Sequence, residues 1–135
     1  MPQSRRRRAE VPRSPCPISG SLDLIGDRWT LLVVRDLFWG KRRFGEFLES
    51  PEYIPTNILA DRLGRLEQAG LLGRKPYQEN PPRYDYALTR KGRDLGPVLA
   101  ALVTWGKCHI PGSRTLGESK GPSAKARSRP GRKRA

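Results

Sequence analysis

The chain has 135 residues and a formal net charge of +14, from 27 Lys or Arg against 13 Asp or Glu. That length suits one compact domain with tails, and that charge points to a polyanionic partner, nucleic acid or an acidic membrane surface. No apolar run approaches the roughly 20 residues that span a bilayer, the Arg-rich start lacks a signal peptide's apolar core, and two cysteines, Cys16 and Cys108, are too few for a disulfide framework or a tetrahedral metal site.

The charge is concentrated at the ends. Residues 1–14 carry a net +4 and residues 117–135 a net +6, which leaves +4 for the middle. Both ends are rich in Pro, Ser and Gly with few apolar residues, so they cannot bury enough surface to offset the entropy of ordering. Disordered basic arms are expected over 1–14 and 113–135, flanking a folded domain over 15–112. Non-specific attraction to nucleic acid is then a property of the arms, and specific recognition belongs to the domain.

From the start of that domain, Ser21, Leu22, Leu24 and Ile25 suggest a short first helix ending near Gly26. Asp27 is placed to cap a second, in which Trp29, Leu32, Val33 and Leu37 fall at helical spacing, with Gly40 just past the end. Phe44, Phe47 and Leu48 mark a short third helix, preceded by Lys41, Arg42 and Arg43 and ended before Pro51. Pro55 suits the first turn of a fourth helix with Leu59, Leu63 and Leu66 as its buried stripe and Gly70 as its left-handed terminator. Leu71 and Leu72 then enter a strand running to Tyr77. A polar tip follows from Gln78 to Arg83, and Tyr84, Tyr86 and Leu88 alternate as a returning strand. Thr89 is read as the cap of a single last helix, whose stripe Leu95, Val98, Leu99, Leu102 and Trp105 is longer than one small core requires. The expected fold class is therefore mainly α with a small β-hairpin, built as a helix-turn-helix with a wing.

Several separated blocks carry a family resemblance: Cys16-Pro17-Ile18, Leu22 through Thr30, Arg43-Phe44-Gly45-Glu46, Ile54 through Leu59, Arg62-Leu63, Leu66-Glu67, Ala69-Gly70-Leu71, Pro82-Arg83, Tyr86 through Thr89 and Gly92. Over about residues 16–105 the chain resembles the HxlR-type winged helix-turn-helix transcriptional regulators. The resemblance implies a homodimer paired through its terminal helices, the fourth helix of each subunit in a major groove and each wing near a minor groove. Leu22, Leu95, Val98, Leu99, Leu102 and Trp105 are the interface candidates. It also implies that a cysteine near Cys16 serves some members as a sensor of oxidants or electrophiles, and Arg13 and Arg28 are the cations that would favour a thiolate there.

In the fourth helix the stripe of leucines leaves Thr56, Asn57, Ala60, Asp61, Gly64 and Arg65 for the other side, which should face double-stranded DNA. Asn57 in the first turn has the donor and acceptor to pair with adenine, and small Ala60 and Gly64 allow close approach. Two readings are open for Thr56, a base contact or a helix cap, and two for Arg62, a reach to phosphate or guanine or a structural ion pair with Asp61, Glu67 or another acid. Arg43, with Lys41 and Arg42, is placed to clamp phosphate or is part of a solvated charge run, and Arg83 at the wing tip either enters a minor groove or holds the turn through backbone carbonyls. With one His, no Gly-rich phosphate loop and no nucleophile elbow, an enzyme is not expected, nor is a cofactor. The expected function is a cytoplasmic, nucleoid-associated regulator, a repressor binding an inverted-repeat operator and open to a small-molecule or electrophile effector. The alternative is a general RNA-binding or chromosome-architectural protein driven by its arms.

Overall fold

The computed structural model describes residues 13–114. Of the expected basic arms, only residues 13, 14, 113 and 114 fall inside that range. Among the described residues six helices and one hairpin follow in chain order: α1 (Pro17–Ile25), α2 (Thr30–Phe38), α3 (Phe44–Leu48), α4 (Thr56–Gln68), β1 (Leu72–Glu79), β2 (Pro82–Leu88), α5 (Arg90–Arg93) and α6 (Gly96–His109). The fold is thus mainly α with a two-stranded antiparallel sheet.

Local chemistry accounts for most boundaries. Helix α1 begins earlier than the apolar spacing suggests, because Pro17 in its first turn is pre-set at a helical φ and has no N–H to leave unpaired. The Asp27 carboxylate accepts from the Trp29 N–H at 2.8 Å, the Thr30 N–H at 3.0 Å and the Thr30 hydroxyl, so it caps α2 as expected. Helix α4 ends in a Schellman turn: Gly70 sits at φ +82°, the Leu71 N–H donates to the Leu66 carbonyl at 2.9 Å and the Gly70 N–H to the Glu67 carbonyl at 3.0 Å.

The hairpin and the last helix also differ from the reading of the sequence. The strands extend almost to the tip, leaving Asn80 and Pro81 between them, because Pro82 opens β2, where a missing donor is tolerated. The last helix is two pieces. The Thr89 hydroxyl does accept from the Gly92 N–H at 3.2 Å, but the helix it caps is only α5. Pro97 cannot donate back across the break, so α6 starts afresh at Gly96.

The core is one cluster drawn from α2, α3, α4 and the start of β1: Val33, Val34, Leu37, Phe47, Leu59, Leu63, Leu66, Leu71 and Leu72, with Ile54 from the turn before α4. Leu95 and Leu99 pack against this cluster from the side. Val98, Leu102 and Trp105 of the same helix are exposed, as is Leu22 of α1. The last helix is therefore anchored along one edge and bare along the rest. An open apolar groove of about 430 Å³ runs between α2 and α6, lined by Leu31, Leu32, Phe38, Trp39, Leu102 and Val103 among others.

Candidate nucleic-acid interface

Helices α3 and α4 meet at a turn whose brace is electrostatic. Asp36 is only 3% exposed and accepts from the Ser50 hydroxyl at 2.5 Å and from the Arg35 guanidinium at 2.9 Å. Arg35 also grips Glu52 with two bonds of 2.8 Å each, holding its carboxyl below the usual range against the opposing effect of burial. Lys41, considered for a phosphate clamp, instead donates to Ser50 at 2.7 Å. This network joins α2 to the turn, and neither end was legible in the sequence, because Arg35 and Glu52 are 17 residues apart.

Beyond the turn, α4 presents Thr56, Asn57, Ala60, Asp61, Gly64 and Arg65 to solvent. Pro55 stands at its N-cap and no side chain caps the helix, so Thr56 is not the cap that was one of its two readings. The amides of that first turn therefore point outward with no partner from their own helix. Open space lies where a Cβ on Gly64 would sit. Asp61 lies 3.6 Å from Arg65 one turn along and also pairs with Arg62. Arg62 itself departs from the DNA-facing expectation: its side chain is 15% exposed, and its Nε reaches inward to Asp27 at 3.1 Å. The pair with Asp61 was among the readings of the sequence, whereas Asp27, 35 residues away, is an acid that helical spacing alone does not single out.

The wing is fixed to this unit. Glu46 accepts from the N–H groups of Arg42 at 2.7 Å and Arg43 at 3.2 Å, bonds that hold its carboxyl below the usual range. The Tyr86 N–H of β2 donates to the Arg42 carbonyl at 2.8 Å. The Arg43 guanidinium stacks 3.6 Å above the Tyr77 ring and bonds Asp85 at 2.9 Å. Tyr77 is the extra residue of a bulge between Pro76 and Gln78, which re-aims its side chain. Arg74 lies over Tyr84 at 4.2 Å, while Tyr86 meets Phe47 edge-on, so the tyrosines of β2 pack within the protein. Arg83 is exposed close to the tip.

Cys16 is exposed at the N-cap of α1. The cations expected beside it have other partners: Arg13 pairs with Asp23 at 2.6 Å, and Arg28 lies over the Trp29 ring. Cys108 is exposed in α6, and the His109 ring rests against Trp105 with 4.7 Å between centroids.

A helix-turn-helix with its second helix bare on one side, followed at once by a pinned hairpin, is the architecture of a winged-helix DNA-binding domain. The family described as HxlR-like helix-turn-helix matches residues 24–114. The chain belongs to this family. An uncharacterised HTH-type transcriptional regulator of Mycobacterium tuberculosis is 42% identical over 94 residues, spanning 70% of this chain and 59% of that relative. The chain thus covers less than two thirds of the length of its mycobacterial relatives. The solved structure of the redox regulator HypR in its reduced form is 32% identical with a TM-score of 0.65, covering 71% of this chain and 95% of that one. The reduced form of the transcriptional regulator YodB from Bacillus subtilis is also 32% identical, with a TM-score of 0.60 and coverage of 75% and 100%. The HxlR-like chain therefore carries the helix-turn-helix of a transcriptional regulator. No helix among the described residues is long and apolar enough to cross a membrane.

Proposed function

We propose that the protein is a sequence-specific transcriptional repressor that binds an inverted-repeat operator as a homodimer. The observation that carries this reading is the outer face of α4. Its first turn offers uncapped amides with Thr56 and Asn57, and Ala60 and Gly64 keep the next two turns low enough for the helix to lie close to base edges. Arg65 lies on the same exposed side and Arg83 near the wing tip, both within the chemistry that contacts phosphate or a narrow groove. The exposed apolar residues Leu22, Val98, Leu102 and Trp105 support pairing of two subunits through α1 and α6. Leu95 and Leu99 contribute less to that contact, since they pack on their own core.

Selection of bound duplexes from a random library tests the first part, and an enriched inverted repeat with half-sites about one helical turn apart is the expected result. Sedimentation equilibrium tests the second, with a mass close to twice the 15.2 kDa chain expected. A general nucleic-acid-binding protein driven by its basic arms would enrich no sequence and would lose its binding when the arms were deleted.

The exposed Cys16 and the likeness to redox regulators support a second element, control of DNA binding by oxidation of that thiol. Treatment with diamide, which takes two electrons and two protons from a pair of thiols as they form a disulfide, should change the operator affinity of the wild type. The Cys16→Ser variant should not respond.

A further inference from the structure

Tyr53 stands out on two counts. Among the described residues it is the only non-glycine with a positive φ, at 58°, and it is the most exposed large side chain with apolar character, at 79%. A bulky aromatic residue is uncommon in the left-handed region, and such strain persists only where the surroundings impose it. Here they do. On one side Glu52 is gripped by two bonds from Arg35, and Ser50, whose carbonyl accepts the Tyr53 N–H at 3.1 Å, is buried against Asp36. On the other side Ile54 is 8% exposed in the core. With both neighbours pinned, the backbone at position 53 cannot relax, and the ring is thrust into solvent three residues ahead of Thr56 at the start of α4.

We propose that Tyr53 is a DNA-backbone contact, its ring lying against a deoxyribose and its hydroxyl donating to a phosphate beside the groove that α4 enters. The proposal rests on the reading of α4 as the recognition helix. Three residues of chain reach at most about 10 Å, and the major groove is about 12 Å wide, so a side chain ahead of the helix start falls over the groove wall rather than its floor. A tyrosine suits that place, since a phenol joins an apolar face to a phosphate donor. The acid beside it is no obstacle, because Arg35 takes up the Glu52 charge.

The test uses the full chain and duplexes that the wild type enriches from a random library. Tyr53→Gly relieves the backbone, Tyr53→Asn tolerates positive φ while keeping a side chain, and Tyr53→Phe removes only the hydroxyl. Both Tyr53→Gly and Tyr53→Asn should unfold at the same or a higher temperature than the wild type, yet bind about tenfold more weakly, the equivalent of 1.4 kcal/mol. Enriched and random duplexes should suffer alike, since a backbone contact carries no direct sequence information. Tyr53→Phe should fall between, and hydroxyl-radical footprints of the variants should lose protection at one step flanking each half-site. Wild-type affinity in both Tyr53→Gly and Tyr53→Asn overturns the proposal. So does a loss confined to Tyr53→Gly, which would trace the effect to a looser turn. A wild type that enriches no duplex overturns the recognition-helix reading itself, and this contact with it.

Discussion

Arg62 Nε lies 3.1 Å from Asp27 Oδ1, so the inward edge of α4 is tied to the loop that starts α2. Asp27 also caps α2, and the two duties share one carboxylate. Partial burial opposes its charge, but bonds from the Thr30 hydroxyl, the Trp29 N–H, Arg62 and the Thr30 N–H outweigh that and hold it far below the usual carboxylate range. A depressed folded-state pKa stabilises the protein above the unfolded value of about 3.9 and loses that stabilisation as pH falls from there toward the folded value. Asp27→Asn should therefore cost about 1–3 kcal/mol at neutral pH, with the gap to wild type narrowing below about pH 4. Urea denaturation from pH 7 down to acid measures it, and a gap that stays constant refutes the linkage.

Arg43 offers a test by sign. If its role is to hold the wing through Asp85 and Tyr77, removing the acid should weaken operator binding, although removing a negative charge near DNA ought by itself to strengthen it. Asp85→Ala and Arg43→Ala should each bind more weakly, by about two- to fivefold, the modest effect expected of an exposed pair. The double variant should be no worse than either alone. A tighter-binding Asp85→Ala would mean that Arg43 acts on phosphate directly.

Asn57 is exposed in the first turn of α4, where an amide can pair with a base edge. Asn57→Ala should lose roughly 1–3 kcal/mol on the operator and almost nothing on random duplex. Competition titrations with both duplexes decide the matter, and an unchanged preference would move specificity to another residue.

Glycines at two positions should respond in opposite ways to a methyl group. A Cβ on Gly92 would run into the Leu71 carbonyl and lie 2.8 Å from Leu88 Cδ2, where α5 crosses the root of the hairpin. Gly92→Ala should cost about 1–3 kcal/mol and lower the unfolding temperature. Gly64 meets nothing within 4 Å, so Gly64→Ala should gain up to about 1 kcal/mol from helix propensity. If α4 sits close to the bases, that same methyl should weaken operator binding. A Gly64→Ala protein that is more stable and binds as well would place the helix farther from the groove.

Periodicity together with local turn and cap chemistry was enough to read the helices of the helix-turn-helix, the Gly70 stop and the existence of the hairpin. The reason is range: Leu59, Leu63 and Leu66 share a face through contacts three or four residues apart, and the Gly70 turn closes within five. The blocks around Asp27, Arg43 and Gly92 likewise carried the family. What each charge does was settled only by the tertiary structure. Arg43 finds Asp85 at 42 residues' separation and Arg62 finds Asp27 at 35, and local spacing says nothing about which acid arrives first. The same holds for Tyr53, whose neighbour Glu52 is held by Arg35 from another helix, and for α6, where Leu99 turns to the core and Leu102 to solvent. An apolar pattern is a property of neighbours along the chain, whereas an ion pair or a strained φ is imposed by partners that only folding brings within reach.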